Sequence, residues 1–369
     1  MLGIVHHLDN EHGLADMTKH RGVASIPFGG KYCLIDFVLS NMVNANFNNV
    51  GVMTAFNLRS LLDHLGIGKP WGLDRKEDGL FILPSSQNDE DNYRRVDLED
   101  FYVNLDYLHI SKQKHVLISG SNCVANIDYE KMQRYHQKKQ ADITVLCKKD
   151  YGFQRDPDRD IVLEMNRDGR VLSALPAGAG KEEDAVSLDG YLMEKQLLFK
   201  LLRISAGTGK LDLVTEILPE YMSQLRIYGY HHSGYAGMVH SVKDLFDRQM
   251  DLLKPEVRHD LFEHEATIYT NLKDGPPTRY YHSAKVVNSM VDNGCQIYGH
   301  VENSILFQGV VVAPGAVVKN CVVTQNGNIQ EDASLEYVIM DKYAAVTKGR
   351  TVSGVSDRPL VVGKFEVVE

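Results

Sequence analysis

Apolar residues in the first two thirds of the chain come in short runs, separated by stretches with helical spacing. The runs predict β-strands, because each one is bounded by turn or polar residues. These predicted strands are Leu2–His7, Val50–Thr54, Val116–Ser119 and Ile143–Cys147. Between the first two, apolar residues recur three or four positions apart, as on one face of a helix, at Ile35, Val38, Leu39, Met42 and Val43. This alternation is typical of a mostly parallel sheet covered by helices.

The last third of the chain follows a different period. Large apolar residues stand six positions apart at Ile305, Val311, Val317, Val323, Ile329 and Leu335. Small residues keep the same spacing at Gly309, Gly315, Cys321, Gly327 and Ala333. A six-residue repeat predicts a parallel β-helix, in which each of these large residues points into the coil and the small residues stand where the chain turns. An irregular β-rich tail is the alternative interpretation.

The two patterns divide the chain into two predicted domains. A length of 369 residues agrees with this division, at the usual domain size of roughly 100–200 residues. We expect an α/β domain over residues 1–253, a linker over 254–281 that contains Pro276 and Pro277, and a β-helix domain over 282–369.

Charge and cysteine content narrow the choice of partner and compartment. A net charge of −9 argues against sequence-independent binding of nucleic acid, which needs a cationic surface. The chain has no run of about 20 apolar residues, the length needed to span a membrane. Its five cysteines are scattered without a Cys-x-x-Cys pair, which indicates free thiols. Its N-terminus also lacks the pattern of a signal peptide. We therefore expect a cytoplasmic protein.

One segment carries a family resemblance. Residues 27–41 read Pro-Phe-Gly-Gly-Lys-Tyr-Cys-Leu-Ile-Asp-Phe-Val-Leu-Ser-Asn. This resembles the signature of ADP-glucose pyrophosphorylases, the glucose-1-phosphate adenylyltransferases that make the glucosyl donor for glycogen and starch. Further similar segments follow in the family's order at Val50–Thr54, Gly79–Pro84, Asn104–Tyr107 and Ala141–Val145. The likeness covers nearly the whole chain. It implies a nucleotidyltransferase-like (Rossmann-like) mixed-sheet domain followed by a left-handed β-helix of hexapeptide repeats.

The loop that holds the nucleotide's phosphates in this family departs from the family pattern. The family carries Gly-Gly-x-Gly-Thr-Arg there, and the same slots hold Leu8–Gly13, including Asp9 and Glu11. Such a loop binds phosphates through backbone N–H groups that glycines leave accessible, with help from a cation. Two carboxylates in this loop would repel a triphosphate.

The family's two metal-binding aspartates are also missing. Its Ser-Gly-Asp-His segment corresponds to Ser119–Asn122, which puts Ser121 in the first aspartate slot. Its Gly-Tyr-Trp-x-Asp-Val-Gly-Thr motif corresponds to Gly234–Ser241, which puts Met238 in the second. Magnesium prefers carboxylate and other hard oxygen ligands. The resemblance therefore implies that this chain holds no metal or other cofactor, and that only an active partner subunit would need magnesium.

Further family groups that contact the substrates are replaced by other residues. Val23 stands for a lysine, Cys33 for an arginine and Ala55 for the glutamine that reads the base. The Glu-Lys-Pro that approaches the sugar phosphate corresponds to Ala174–Pro176, and the Gly-Thr-Ala-Asp-Ala loop to Val96–Asp100. Phosphoryl transfer depends on positioning and on neutralising charge. We therefore predict no catalytic residue in this chain.

Some binding capacity could remain at two places. Ser187, Asp189 and Tyr191 lie where the family has Ser-Met-Gly-Ile-Tyr near glucose, so they are either a residual sugar-phosphate site or an ordinary buried strand. Arg75, in a segment that follows a further family motif, is another binding candidate. A basic cluster is either a solvated surface or a site for a phosphorylated effector. Its members are Lys19, His20, Arg21 and Lys31.

Three functional hypotheses follow. The first is a non-catalytic regulatory subunit that joins a catalytic glucose-1-phosphate adenylyltransferase subunit, as a heterotetramer, in glycogen biosynthesis. The second is a working nucleotidyltransferase whose site is rebuilt from other acids, such as Asp97, Glu99 or Asp189. The third is a β-helix acyltransferase that uses His300 as its base. We favour the first, because the losses affect groups that bind phosphate, metal or the base.

Overall fold

The computed structural model describes residues 1–6, 12–54, 57–86, 94–149, 151–263 and 266–369. Its helices are α1 (Ala15–Thr18), α2 (Leu34–Asn44), α3 (Leu58–Leu65), α4 (Leu98–Val103), α5 (Leu105–Ile110), α6 (Tyr129–Lys139), α7 (Lys195–Thr208), α8 (Leu218–Tyr221), α9 (Val242–Asp251) and α10 (Pro255–Phe262). Within these ranges, no helix has both the length and the apolar character needed to cross a membrane.

The strands fall into two groups along the chain. The first are β1 (Leu2–His6), β2 (Pro27–Phe28), β3 (Tyr32–Cys33), β4 (Asn49–Thr54), β5 (Gly79–Pro84), β6 (His115–Gly120), β7 (Cys123–Ala125), β8 (Ile143–Lys148), β9 (Ile161–Met165), β10 (Val171–Pro176), β11 (Ala185–Glu194), β12 (Ile227–His231) and β13 (Ala236–Met238). The second are β14 (Arg279–Tyr280), β15 (Lys285–Val287), β16 (Met290–Val291), β17 (Gln296–Ile297), β18 (His300–Glu302), β19 (Ile305–Leu306), β20 (Val311–Val312), β21 (Val317–Lys319), β22 (Val322–Val323), β23 (Asn328–Ile329), β24 (Ser334–Glu336), β25 (Val338–Met340), β26 (Ala345–Val346), β27 (Thr351–Ser353), β28 (Leu360–Val362) and β29 (Val367–Val368).

The chain forms two compact units, each built from separated stretches of sequence. The α/β unit comprises Met1–Asn10, Ile35–Met238 and His264–Tyr269. The β-helix unit comprises Glu11–Leu34, Val239–Glu263 and Thr270–Glu369. The division of the sequence into 1–253, 254–281 and 282–369 stays a prediction.

A mixed sheet forms the centre of the α/β unit. β1 pairs in parallel with β4 and β6, and β11 runs antiparallel to both β6 and β8. The order along the sheet is β10-β9-β11-β6-β1-β4-β5, and β8 pairs with β11 and β12. Residues of the central strands are buried, such as Leu2, Ile4 and Ile118, because helices and loops cover both faces. The predicted α/β class is confirmed.

Three parallel sheets form the walls of the β-helix unit. Their strand orders are β14-β17-β20-β23-β26-β29, β15-β18-β21-β24-β27 and β16-β19-β22-β25-β28. Each strand pairs with the strand one coil away, so the three walls enclose one apolar core. The hexapeptide pattern thus produces the predicted parallel β-helix.

The assignment of inward-pointing residues in the β-helix is partly wrong. Val311 and Val317 are only half-buried, whereas Val312 and Val318 are fully buried in the core. Coil length explains the difference. Gln296 pairs with Val311, an offset of 15 residues, and Val311 pairs with Asn328, an offset of 17. Three repeats of six residues would require 18. A strict six-residue count therefore selects a residue one position away from the one that points inward.

Candidate functional site

The carboxyl ends of the central strands in the α/β unit carry a buried polar cluster. β1 ends at His6, which pairs with Gly120 at the end of β6. β11 passes on the other side of β6, with Gly190 opposite Ser119. Ligand sites of open α/β sheets lie at the carboxyl ends of the strands. This cluster therefore marks the candidate site.

Asp189 enters this cluster through an irregularity in β11. The register between β11 and β8 shifts between Ser187 and Gly190, and Asp189 has a φ of +56°. A non-glycine residue in this left-handed conformation costs on the order of 1–3 kcal/mol. The family segment that residues 187–191 resemble has glycine in the slot of Asp189, and glycine would adopt this conformation without strain.

The Asp189 carboxylate pairs with His6. Its Oδ2 lies 2.9 Å from Nε2 of His6, and the two side chains are 1% and 3% exposed. An isolated buried carboxylate would be strongly unfavourable, and the polar imidazole beside it offsets part of that cost. Sequence reasoning missed His6 as a site residue, since nothing local to it indicates a distant acidic partner.

The contact between Asp189 and His6 requires a residue without a side chain at position 120. A Cβ at position 120 would lie 2.4 Å from Oδ2 of Asp189, which is too close for real atoms, and 3.0 Å from Oδ1 of Asn122, which is a tight contact. The carboxylate therefore occupies the space where any larger residue would place its side chain.

We expect Gly120→Ala to lower the free energy of unfolding by about 1–3 kcal/mol, because its Cβ must displace the Asp189 carboxylate from His6. Urea unfolding of the full chain measures this. Gly207→Ala is the matched control: a Cβ there meets no atom within 4 Å, and alanine favours the α7 helix. Adding Asp189→Gly to Gly120→Ala recovers part of the loss. If Gly120→Ala and the unsubstituted chain have the same urea midpoint of unfolding, the clash with the Asp189 carboxylate does not exist.

The electrostatic environment of the cluster is unfavourable to further negative charge. Burial, and after it the Asp189 carboxylate, raises the pKa of the Cys123 thiol to about 12. The same two causes, in the same order, raise the pKa of the Tyr191 phenol far above its ordinary value. A phosphate at this place would meet the same opposing field.

The two slots of the family's metal aspartates lie close together in the α/β unit. Ser121 follows β6, and Met238 ends β13, where it pairs with Cys123 of β7. Both side chains are buried. The Ser121 hydroxyl makes no hydrogen bond to the described residues, and the Met238 N–H donates to the hydroxyl of Tyr151 at 2.9 Å.

These residues do not fit a magnesium ion. A thioether and a single hydroxyl replace the carboxylates that magnesium prefers. Among the residues that the structure describes, no three His, Cys, Asp or Glu side chains come together as a metal-binding group.

The residues predicted as a residual sugar-phosphate site are buried. Ser187, Asp189 and Tyr191 are each 1% exposed, and the Ser187 and Tyr191 hydroxyls lie 3.5 Å apart. In this conformation their polar atoms face other protein groups, as in the buried-strand interpretation.

The basic cluster of the β-helix unit contains one buried cation and three exposed residues. Arg21 is 1% exposed and binds Asp341 with both of its terminal nitrogens, at 3.0 and 2.9 Å. Lys19 forms an exposed ion pair with Asp16, and Lys31 and His20 are exposed. Arg21 is thus neither a solvated residue nor an open anion site. Sequence reasoning missed its partner, Asp341.

The remaining candidate positions differ in exposure and in whether the structure describes them. Val23 and Cys33 are buried in the β-helix unit. Arg75 is exposed, and its Nε donates to the carbonyl of Gly72 at 2.9 Å. Asp9, Glu11 and Ala55 lie outside the residues that the structure describes.

The acids of the rebuilt-enzyme hypothesis have other protein contacts. Asp97 caps α4 by accepting a hydrogen bond from the N–H of Glu99, and Arg94 binds both carboxylates. Burial raises the pKa of Asp97, with the neighbouring Asp100 adding to the shift. His300, the base of the acyltransferase hypothesis, lies 3.5 Å from Glu302 on the same strand.

Comparison with known protein families assigns both parts of the chain. The nucleotidyl transferase family model matches residues 13–245, and the model for the GlmU-like C-terminal hexapeptide region matches residues 276–359.

Curated relatives match over nearly the full length. The "Glycogen biosynthesis protein GlgD" of Bacillus subtilis (strain 168) is 36% identical over 364 residues, covering 99% of this chain and 96% of the relative. The "Glucose-1-phosphate adenylyltransferase" of Clostridium perfringens (strain 13 / Type A) is 30% identical over 366 residues, covering 96% and 93%. With its nucleotidyltransferase unit and hexapeptide β-helix, the chain belongs to the ADP-glucose pyrophosphorylase (glucose-1-phosphate adenylyltransferase) family.

Proposed function

We propose that this chain is a non-catalytic regulatory subunit in glycogen biosynthesis, which joins a catalytic glucose-1-phosphate adenylyltransferase subunit in the cytoplasm and alters its turnover. The observation that carries the proposal is the replacement of both metal aspartates by Ser121 and Met238, which are buried near each other at the carboxyl end of the sheet. The GlgD relative, whose name gives a role in glycogen biosynthesis, supports the assignment to that process.

Phosphoryl transfer explains why these replacements abolish the reaction. The metal and the cationic groups of a nucleotidyltransferase stabilise charge on the transferred phosphoryl group. Here the metal slots hold a hydroxyl and a thioether, and Val23 and Cys33 replace the family's lysine and arginine. The buried Asp189 carboxylate adds negative charge where the reaction needs positive charge.

The last coil of the β-helix unit supports association with a partner subunit. β27, β28 and β29 are the terminal strands of the three sheets, so their outer edges lack a neighbouring strand within the described chain. The same coil exposes apolar side chains at Leu360, Phe365 and Val367. Open sheet edges and exposed apolar groups are features that a partner chain covers. We propose a heterotetramer with the catalytic subunit as the resulting assembly.

A phosphorylated effector is part of this proposal. Lys19 and Lys31 carry exposed ammonium groups, whereas Arg21 is held by Asp341. Any effector contact at the basic cluster therefore involves the two lysines or the exposed His20.

We expect the purified chain to form ADP-glucose from ATP and glucose 1-phosphate at least about 10⁴-fold more slowly than a catalytic subunit, since each lost charge-stabilising group slows such a reaction by about 10²–10³-fold. Mixed with a catalytic subunit from the same genome, the chain changes that subunit's turnover or effector response. The measurement is the initial rate with each subunit alone and with the two together.

Two variants separate this proposal from a rebuilt enzyme. Met238→Leu leaves the effect on the partner unchanged, because Met238 takes part in no chemistry. Ordinary turnover by the isolated chain that is lost in Asp97→Asn would instead establish the rebuilt enzyme and overturn the regulatory assignment.

A further inference from the structure

A pair of histidines joins α6 to the central sheet at the end opposite the candidate site. His136 lies in the last turn of α6, and His115 begins β6, the strand that ends at Gly120. Their rings are nearly perpendicular, with centroids 5.8 Å apart. His136 is 4% exposed, and His115 is half-buried. No part of the proposed function uses these two imidazoles.

His136 holds the C-terminal half of α6 on the sheet. The helix packs on β8 and β12, and its other buried residues, Tyr129 and Met132, belong to its N-terminal half. Nδ1 of His136 lies 2.8 Å from the hydroxyl of Thr144 on β8, which is fully buried. A neutral imidazole with this hydrogen bond is accommodated here, whereas a charged ring pays for its lost hydration.

The carboxylates near the two rings already have cationic partners. Glu194 of β11 lies 3.0 Å from Lys114, and Asp142, after α6, lies 2.9 Å from Arg226. The N-terminal ammonium adds a further positive charge that acts on His115. The two carboxylates are therefore largely neutralised, and they offer little stabilisation to an imidazolium.

We propose that His136 and His115 form an acid-sensitive latch, which holds the C-terminal half of α6 on the sheet while both rings are neutral and releases it when they take up protons. Burial lowers the pKa of His136 to about 4, and the neighbouring His115 adds to this shift. Burial also lowers the pKa of His115, and Glu194 opposes that shift.

The direction of the pH dependence follows from the lowered pKa of His136. Once α6 leaves the sheet, the ring regains its ordinary pKa of about 6.5, so the open form binds the proton more tightly than the closed form. The latch is therefore fully closed above pH 6.5 and weakens as the pH falls from about 6.5 to about 4. Its opening uncovers the sheet near the first residue of β6.

Hydrogen exchange of the full chain, followed by mass spectrometry, measures this opening. Amide exchange is first corrected for its intrinsic dependence on pH. We expect the opening equilibrium of the second half of α6 to rise about 20-fold between pH 7 and pH 5, the factor that follows from pKa values of about 4 and 6.5. Exchange in β4, two strands away from β6, changes less, because the opening is local.

Two histidine variants assign the change to the latch. His136→Gln keeps a side chain that can hydrogen-bond Thr144 and takes up no proton, so its α6 segment loses most of the pH dependence. His231→Gln, which removes an exposed imidazole from β12 of the same unit, keeps it. Exchange of the histidine C2 hydrogens gives the titration midpoint of His136 in the natural chain, without any substitution, and we expect it well below 6.5.

Two results would overturn the proposal: a titration midpoint of His136 near 6.5, or the same pH dependence of α6 opening in His136→Gln and in the natural chain. Both measurements use the chain without a partner and without substrates. Their failure therefore leaves the regulatory assignment standing.

Discussion

Replacing Asp341 by alanine is expected to lower the free energy of unfolding of the β-helix unit by about 3–5 kcal/mol, because it leaves the guanidinium of Arg21 buried without a carboxylate. In the structure the two side chains share two hydrogen bonds, of 3.0 and 2.9 Å. Asp341 also accepts a hydrogen bond of 2.7 Å from the N–H of Lys342. Urea unfolding of the full chain, followed by a probe in the β-helix unit, measures the change.

Two control variants distinguish the loss of this buried ion pair from the general effect of removing a carboxylate. Asp16→Ala removes the exposed ion pair with Lys19 and is expected to change stability by less than about 1 kcal/mol. The double variant Arg21→Met with Asp341→Leu recovers most of the loss, because an apolar pair of similar volume needs no compensating charge. An Asp341→Ala variant as stable as Asp16→Ala would show that Arg21 does not depend on this carboxylate.

This ion pair gives Arg21 a structural role in place of effector binding. Arg21 and Asp341 are 320 residues apart in the sequence. No local pattern links two such positions. The sequence therefore identified Arg21 as a cation worth notice, and only the fold supplies the group that it binds.

The fold itself was largely predictable, because its signals are local. Strand β4 was predicted as Val50–Thr54 and observed as Asn49–Thr54, since a run of apolar residues is sufficient to mark a buried strand. The six-residue repeat likewise predicted the β-helix. It failed at Val311 and Val317, because the length of each coil depends on how the strands pair.

The sequence predicted which family side chains the candidate site lacks, but not which contacts it contains. A position-by-position comparison with the family pattern shows Ser121 and Met238 in the slots of the two metal aspartates. It does not reveal that Asp189 turns toward His6, because that contact depends on a bulge in β11 and on a glycine at position 120. We propose that the chain lacks the family's metal ligands, and the contact between Asp189 and His6 occupies the neighbouring space.

Restoring the two lost aspartates should make the α/β unit respond to magnesium. We expect the thermal unfolding of the natural chain to be unaffected by Mg²⁺, with or without nucleotide. The double variant Ser121→Asp with Met238→Asp is less stable without the ion, because two carboxylates are then buried close together. It gains about 3–4 kcal/mol once Mg²⁺ exceeds its dissociation constant by about 100- to 1,000-fold, since only the folded chain binds the ion.

The neutral variant Ser121→Asn with Met238→Leu is the matched control, because it changes the same positions without adding charge, and it stays unresponsive to Mg²⁺. Synthesis of ADP-glucose is expected to stay low even in the carboxylate variant: Val23 and Cys33 still occupy the slots of the family's lysine and arginine, and Asp189 still faces His6. Magnesium-dependent stabilisation of the natural chain would contradict the loss of the metal site. Full turnover in the restored variant would mean that the two carboxylates alone separate this chain from an active enzyme.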